Sequence, residues 1–369
     1  GTPSLFAPAS IAAILGGASE RIAFARDCEV TLETNPGTVE HGRFEGYLEA
    51  GVNRISFGIQ SFDDDKLRAL GRIHSAAEAE AAVELARDAG YANINLDLMY
   101  ALPNQRLDGA LCDIERAIAL RPTHVSHYQL TLEPGTPFAK RPPPLPDHDA
   151  AWDMQEACQA RLAEAGFAQY EVSAYALPGQ RCRHNLNYWR FGDYLGIGAG
   201  AHGKISGPGT KDKGPKNHAP SNAPDRHAGS RPLRGPVRNN DEDFCVVRAI
   251  GNPALAVRRR WKVRSPHAYL QSAATPYRVG GDETVTADQL SFEFMLNVLR
   301  LNEGVAVQDF LVRTGLPMSS IAAPLRDACT RGLLTGTPDR LQATPRGQRF
   351  LNDLIETFLP SPKPGHRHA

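Results

Sequence analysis

The sequence predicts an α/β fold: a parallel sheet, open or closed into a barrel, followed by a smaller winged-helix-like α domain. Three observations carry that reading. Between residues 28 and 132, β-rich runs alternate with amphipathic helical stretches in units of roughly 30 residues, the pattern of parallel strands joined by crossover helices. Within those runs, polar residues gather on one face and branched apolar residues on the other. The stretch from Gly304 to Leu359 then reads as helical segments around a short hairpin.

Cys28 to Thr34 and Asn53 to Gln60 are the first two expected strands. In the second, Ile55, Phe57 and Ile59 share one face while Arg54, Ser56, Gly58 and Gln60 share the other. A helix follows: Ser75 and Glu78 form a capping box, Ala79, Ala82, Val83 and Ala86 keep helical spacing, and Gly90 closes it. Asn93 to Met99 is the third strand, with Ile94, Leu96 and Leu98 toward the helices and Asn95 and Asp97 turned the opposite way. The next helix aligns Leu107, Leu111, Ile114 and Ile118 and ends before Pro122; Thr123 to Leu132 is the fourth strand. A structural barrel fills its interior with branched apolar side chains, so polar inward faces point to a ligand in the lumen. Residues 147 to 166 read as a helix carrying Trp152 and closed by Gly166. From Gly207 to Asn240, 6 Pro and 5 Gly in 34 residues predict a disordered basic insertion. A helix bearing Phe292, Met295, Leu296 and Leu299 begins near Ala287, and the final helix is expected to turn Phe350, Leu351, Leu354 and Phe358 inward.

Composition narrows function. Forty-one basic residues balance 41 acidic ones, and residues 295 to 359 hold 7 Arg or Lys against 6 Asp or Glu. Neither the chain nor its winged-helix-like tail has the basic surface that nucleic acid requires, and no nucleic-acid partner is expected. No apolar run approaches the roughly 20 residues of a membrane span, and the expected location is cytoplasmic. The 6 cysteines never come closer than 24 residues, so neither a disulfide scaffold nor a local thiolate cluster is predicted.

Candidate site residues sit at the carboxyl ends of the strands, where parallel α/β folds build their sites. They are Glu33 in Glu33-Thr34-Asn35-Pro36, Gln60 in Gly58-Ile59-Gln60-Ser61-Phe62, Arg72 in Gly71-Arg72-Ile73-His74, and Asp97 in Asn95-Leu96-Asp97. The opening Gly1-Thr2-Pro3-Ser4 reads as the end of a glycine-rich turn after a strand, so a preceding segment is expected. Gly198-Ala199-Gly200-Ala201-His202-Gly203 fits a dinucleotide fingerprint in spacing only. Lys204-Ile205-Ser206-Gly207-Pro208 cannot continue as the required helix, and His202 is expected on a tight loop near the barrel mouth.

Taken in order, GTPS, ETNPGT, RISFGIQSFDDDKLRALGRIH, NINLDLMYALPNQ, HYQLTLEPGTPF, CRHNLNYW and YLGIGAGAHGKIS resemble the HemW family of radical S-adenosylmethionine proteins, relatives of the oxygen-independent coproporphyrinogen III oxidase. The resemblance covers most of residues 1 to 206 and resumes from about Arg260 to Leu359. It implies a partial radical-SAM (β/α)6 barrel with the HNxxYW region over 1–206, an insertion over 207–257, a helical, winged-helix-like domain over 258–360 and a disordered tail over 361–369. It further implies that Gly1, Thr2, Glu33, Gln60, Arg72 and Asp97 contact S-adenosylmethionine, with Thr131 lining the same cavity. The chemistry suits that ligand: carboxylates for ammonium and hydroxyls, Arg for a carboxylate, an amide for either. His184, in His184-Asn185-Leu186-Asn187-Tyr188-Trp189, is implied to ligate haem iron, with Tyr188 and Trp189 stacking on the porphyrin.

The family's CxxxCxxC loop, which holds a 4Fe-4S cluster, does not occur in these 369 residues, so no metal ligand is assigned here and the cluster is expected of the parent protein only. The function implied is a haem chaperone that binds haem and transfers it to an acceptor protein, a respiratory one by preference. An oxygen-independent coproporphyrinogen III oxidase is the enzymatic alternative, and an inactive truncated fragment the third.

Overall fold

The computed structural model describes residues 2–38, 43–208 and 255–360. They fall into two compact units, one of Gly1–Gly192, Phe292–Val307 and Ile321–Ala369 and one of Asp193–Ser291 and Gln308–Ser320.

The first unit is built on one sheet. Helix α1 (Pro8–Ser19) leads to strand β1 (Thr31–Thr34), then α2 (Arg43–Glu49), β2 (Arg54–Gln60), α3 (Asp64–Ala69), α4 (Ala76–Asp88), β3 (Ile94–Tyr100), α5 (Leu107–Ala119) and β4 (His124–Gln129). After α6 (Pro137–Lys140) and α7 (His148–Glu164) come β5 (Ala168–Glu171), β6 (Ala174–Ala176) and α8 (Arg183–Trp189). The strand order is β1-β2-β3-β4-β6-β5. The first four strands are parallel, as the strand–helix repeat requires, whereas β6 runs antiparallel to both β4 and β5. Among the described residues the sheet stays open, a partial barrel. Its four parallel strands lie within about three residues of the expected bounds, the usual latitude of strand ends.

Alternation decides what each face does. Ile55, Phe57, Ile59, Leu96, Leu98 and Val125 are all fully buried in one cluster with Ala79, Ala82, Val83 and Ala86 of α4 and Ile114 of α5. Alanines on α4 let that helix approach the sheet closely. The capping box forms as predicted, with the Ser75 hydroxyl accepting from the Glu78 N–H and the Glu78 carboxylate accepting from the Ser75 N–H at 2.7 Å. The Asp147 carboxylate caps α7, accepting from the Ala150 N–H at 2.8 Å.

The outer strand β5 has further partners from distant sequence. Glu171 bridges to Leu301, and the Asn302 N–H donates to the Tyr170 carbonyl at 3.0 Å. Nearby, β10 (Val305–Ala306) pairs with β11 (Arg340–Leu341), and Leu334 bridges to Ala343 within the stretch expected to hold a short hairpin. The final helix departs from expectation. It is split at Phe350 into α13 (Pro345–Arg349) and α14 (Leu351–Glu356), because Phe350 leaves helical geometry at φ −111°, ψ 45°. The apolar stripe restarts after the break, so Leu354, Ile355 and Phe358 are buried and Phe350 is exposed.

The second unit holds an antiparallel sheet of β7 (His202–Pro208), β8 (Leu255–Lys262) and β9 (Val279–Thr284), in that order, with α9 (Pro266–Ser272) between the last two. Strand β7 begins within the GxGxxG match and runs on past it, so no nucleotide-binding helix opens there. His202 begins that strand and stacks on Trp261 at 6.0 Å, rather than sitting on a loop. The ends of the expected insertion, Gly207, Pro208 and Leu255 to Val257, are paired strand residues; 209–254 and 361–369 lie outside the described residues. Helix α10 (Ala287–Val298) belongs in part to each unit, α11 (Val307–Thr314) mostly to the second, and α12 (Ala322–Thr330) to the first.

Candidate functional site

The polar faces of the parallel strands line up because their register places like with like. Glu33 pairs with Ser56, Ser56 with Asn95, and Asp97 with Ser126. With Thr31 and Arg54 these residues line a cavity of about 340 Å³ on the sheet face away from the core helices, at the lower end of small-molecule site sizes. Thr31 and Arg54 open their strands, so the cavity occupies the amino-terminal half of the lumen. Glu29, Cys182, His184 and Asn185 complete its lining.

At the carboxyl ends of the strands a second group converges. The Asn35 amide donates to the Thr2 hydroxyl at 2.9 Å, and the Tyr47 hydroxyl reaches the Ser4 carbonyl at 2.8 Å, fastening the opening turn to the sheet. A β-carbon on Gly58 would lie 3.0 Å from Gln60 Nε2 and 3.1 Å from Asn35 Oδ1, so only glycine lets these two amides approach over the strand. Gln60 itself takes φ +73° at a register shift, a strained conformation for a residue with a β-carbon. The turn after it is held by buried Asp113, which accepts from the Ser61 hydroxyl at 2.8 Å and the Phe62 N–H at 2.7 Å. Burial raises the Asp113 carboxyl to about 6 despite those bonds. The Tyr128 hydroxyl donates to Gln60 Oε1 at 3.0 Å; burial and the Asp97 charge push that phenol up to about 12, with Arg72 opposing.

Two carboxylates stand between these ends. Desolvation, then the charge of Asp97, raises Glu33 above its ordinary range, with a Ser56 hydrogen bond and Arg54 opposing. Desolvation also raises Asp97, against hydrogen bonds from Asn95 and Ser126. Paired acids in this condition are poised to accept hydroxyl or ammonium donors from a ligand. Behind Asp97 runs a fixed chain of bonds. The Asn95 amide donates to Asp97 Oδ1 at 2.8 Å and to the Ser56 hydroxyl at 3.0 Å, leaving its oxygen to accept from His124 Nδ1 at 2.6 Å. His124 Nε2 therefore accepts from the Tyr170 hydroxyl at 2.9 Å, which in turn accepts from the Asn185 amide at 3.3 Å. Burial, then the Arg54 charge, lowers His124 to about 3, so its imidazole is neutral in this relay.

Helix α8 brings in the HNxxYW segment. Its first N–H groups have no side-chain cap of their own; the Glu29 carboxylate accepts from the N–H of Arg183 at 2.9 Å and of His184 at 3.2 Å. His184 and Tyr188, four residues apart, share a face and meet edge to face at 4.8 Å. Trp189 is a further residue on and points elsewhere. The Arg300 guanidinium covers its ring at 4.2 Å, and its buried indole N–H has no partner. Burial lowers the His184 imidazole, with Glu29 opposing, which favours the neutral form that binds metal.

The structure thus brings Glu33, Asp97 and His184 to one cavity and Thr2, Gln60 and Arg72 to the adjacent rim. Thr131 stands apart, exposed beyond β4 with its hydroxyl 3.3 Å from Glu133. Gly1 is outside the described residues. Sequence reasoning missed Glu29, Asn35, His124, Tyr128 and Tyr170. Of these, Asn35 and Tyr128 carried a signal, standing at the strand ends where sites are built. An iron–sulfur cluster does not fit: no group of three His, Cys, Asp or Glu among the described residues can hold a metal ion, and burial pushes the cavity's Cys182 thiol up to about 11, so it stays protonated.

Comparison with known proteins shows what the chain as a whole resembles. The Radical SAM superfamily matches residues 1–140 and the HemN C-terminal domain residues 285–350. The chain is 44% identical over 359 residues to "Heme chaperone HemW" of Haemophilus influenzae, covering 97% of this chain and 81% of that protein. The Escherichia coli protein of the same name is 42% identical, with 97% and 82% covered. "Radical S-adenosyl methionine domain-containing protein 1, mitochondrial" of Mus musculus is 42% identical over 57% of this chain and 48% of its own length. Among solved structures, coproporphyrinogen III oxidase (HemN) from Escherichia coli superposes with a TM-score of 0.70 at 18% identity, covering 97% of this chain and 76% of that one, which shows a shared fold.

Proposed function

Because this chain belongs to the HemW family of radical SAM proteins, we propose that it binds haem through His184 and passes it to an acceptor protein. The observation that carries this is the position of His184 on the rim of the polar cavity, paired with Tyr188 and with its imidazole pKa lowered by desolvation. Hand-over needs a ligand that can be released, and a histidine at the cavity rim on a seven-residue helix meets that need better than an enclosed pocket would. Tyr188 braces the imidazole edge, and Glu29 holds the helix end that presents it. The acceptor we infer is a haem-binding protein of the respiratory kind, and cytoplasm the setting, since buried Cys158 and Cys182 are free thiols.

The residues at the strand ends suit S-adenosylmethionine. Its ribose hydroxyls and ammonium match Glu33 and Asp97, its carboxylate matches Arg72, and the Thr2–Asn35–Gln60 group supplies neutral donors and acceptors beside a glycine-lined approach. When bound, the cofactor supplies an activated sulfonium. The 4Fe-4S cluster of the wider superfamily has no ligands among these residues, so the reading for this chain rests on binding alone.

Titrating haem into the full chain tests it. A saturable shift of the Soret band is expected, and His184→Ala should weaken binding at least tenfold while leaving S-adenosylmethionine affinity within about twofold. An unchanged Soret band with the wild-type chain would remove the haem reading.

A further inference from the structure

Arg54 is the residue that neither the resemblance nor the proposed haem and cofactor contacts employ. It opens β2 on the lumen side, lines the same cavity as His184, and is only 3% exposed. Its Nε has no hydrogen-bond partner, and no ion pair to it is present among the described residues. Buried guanidinium groups are ordinarily locked to a carboxylate, because desolvating the charge without a partner is costly. Glu33 and Asp97 are close enough for each to feel the Arg54 charge, yet neither accepts a bond from it. Glu29 is already committed to the end of α8.

From this arrangement we infer that Arg54 is a carboxylate-binding subsite of the cavity, taking the acid group of a ligand whose body lies toward His184. The planar fork of a guanidinium matches a carboxylate through two parallel hydrogen bonds. Arg54 is the one guanidinium of the cavity lining, and among the described residues no carboxylate of that lining accepts a hydrogen bond from it, which leaves it to an anionic guest. At about 340 Å³ the cavity suits a limb of a large ligand better than a whole macrocycle. A tetrapyrrole propionate reaching in from His184 meets that description, and this source rests on the haem reading above. The carboxylate of S-adenosylmethionine is the other source with the same chemistry.

Four binding measurements on the full chain decide the matter. Haem and haem dimethyl ester are titrated by Soret absorbance; S-adenosylmethionine and its decarboxylated analogue are measured by equilibrium dialysis. Each pair is compared in the wild-type chain, Arg54→Gln and Arg54→Lys. Wild type should prefer haem over the diester by about tenfold or more, Arg54→Gln should bind both alike, and Arg54→Lys should keep part of the preference, since it retains charge without the fork. If the preference and its loss appear instead with the decarboxylated analogue, the subsite stands and its guest is the cofactor. Equal preferences in wild type and Arg54→Gln for both pairs would overturn the inference and leave Arg54 a counter-charge for Glu33 and Asp97. Thermal melting accompanies each variant; should Arg54→Gln not fold, Arg54→Lys carries the comparison, and a preference unchanged from wild type in both pairs counts against the subsite. Failure of wild type to bind haem at all removes the haem reading, while the cofactor pair still tests Arg54.

Discussion

Gln60 shows how a single residue can be legible in kind yet hidden in detail. Strand alternation assigns it to the lumen together with Arg54 and Ser56, and the structure agrees. Its left-handed backbone at φ +73° and dependence on Gly58 do not follow from alternation, because they arise at a register shift between β2 and β3. Gly58→Ala should therefore push Gln60 and Asn35 apart by a few tenths of an ångström. We expect S-adenosylmethionine affinity to fall at least fivefold, with a stability loss near 1 kcal/mol, as calorimetric titration and denaturant unfolding would show. Trp189 is the opposite lesson. HNxxYW places it next to Tyr188 in sequence, but helical geometry turns residues 184 and 188 together and sends 189 round to Arg300. Trp189→Leu is expected to lower stability through the lost cation–π contact by about 1 kcal/mol, with haem affinity unchanged within twofold.

Elements whose signals are local were read well, and those that depend on distant partners were not. The Ser75 and Glu78 box, the helix over 147 to 166 and the four parallel strands are each written in local sequence. The β5–β6 hairpin was missed since strands of 4 and 3 residues give no measurable period, and their antiparallel sense breaks the repeat that preceded them. The cap of α8 was equally invisible, because its carboxylate comes from Glu29, more than 150 residues earlier. That separation has a consequence for the site. Glu29→Gln keeps the side chain's shape but loses its charge at the helix amino terminus, so α8 should fray and present His184 less often. Haem affinity is expected to drop about threefold to tenfold with little change in melting temperature, a split that Soret titration and circular dichroism can separate.

For the molecule as a whole, buried imidazoles set the response to acid. Burial lowers both His124 and His127 to about 3, against an ordinary value of 6.5. Unfolded chains therefore take up protons on these residues as pH drops through 6.5 while the folded chain does not, and stability is lost progressively from there to about 3. Asp113 works the other way, gaining stability as pH falls below about 6, and Glu33, Asp97 and Glu171, whose carboxyls burial also raises, act in the same sense, so they offset part of the loss from the imidazoles. His127 packs on the Tyr100 ring at 4.7 Å and its buried Nδ1 has no partner. His127→Phe should keep that packing and remove about 1 kcal/mol per pH unit of acid sensitivity below 6.5, read from denaturant midpoints across pH. A different consequence belongs to the outer strand β5, whose bridge to Leu301 and bond from Asn302 join residues about 130 positions apart. During synthesis, the backbone at Tyr170 and Glu171 must wait for that late segment to emerge, so this flank of the sheet is completed only after about 130 further residues have been made.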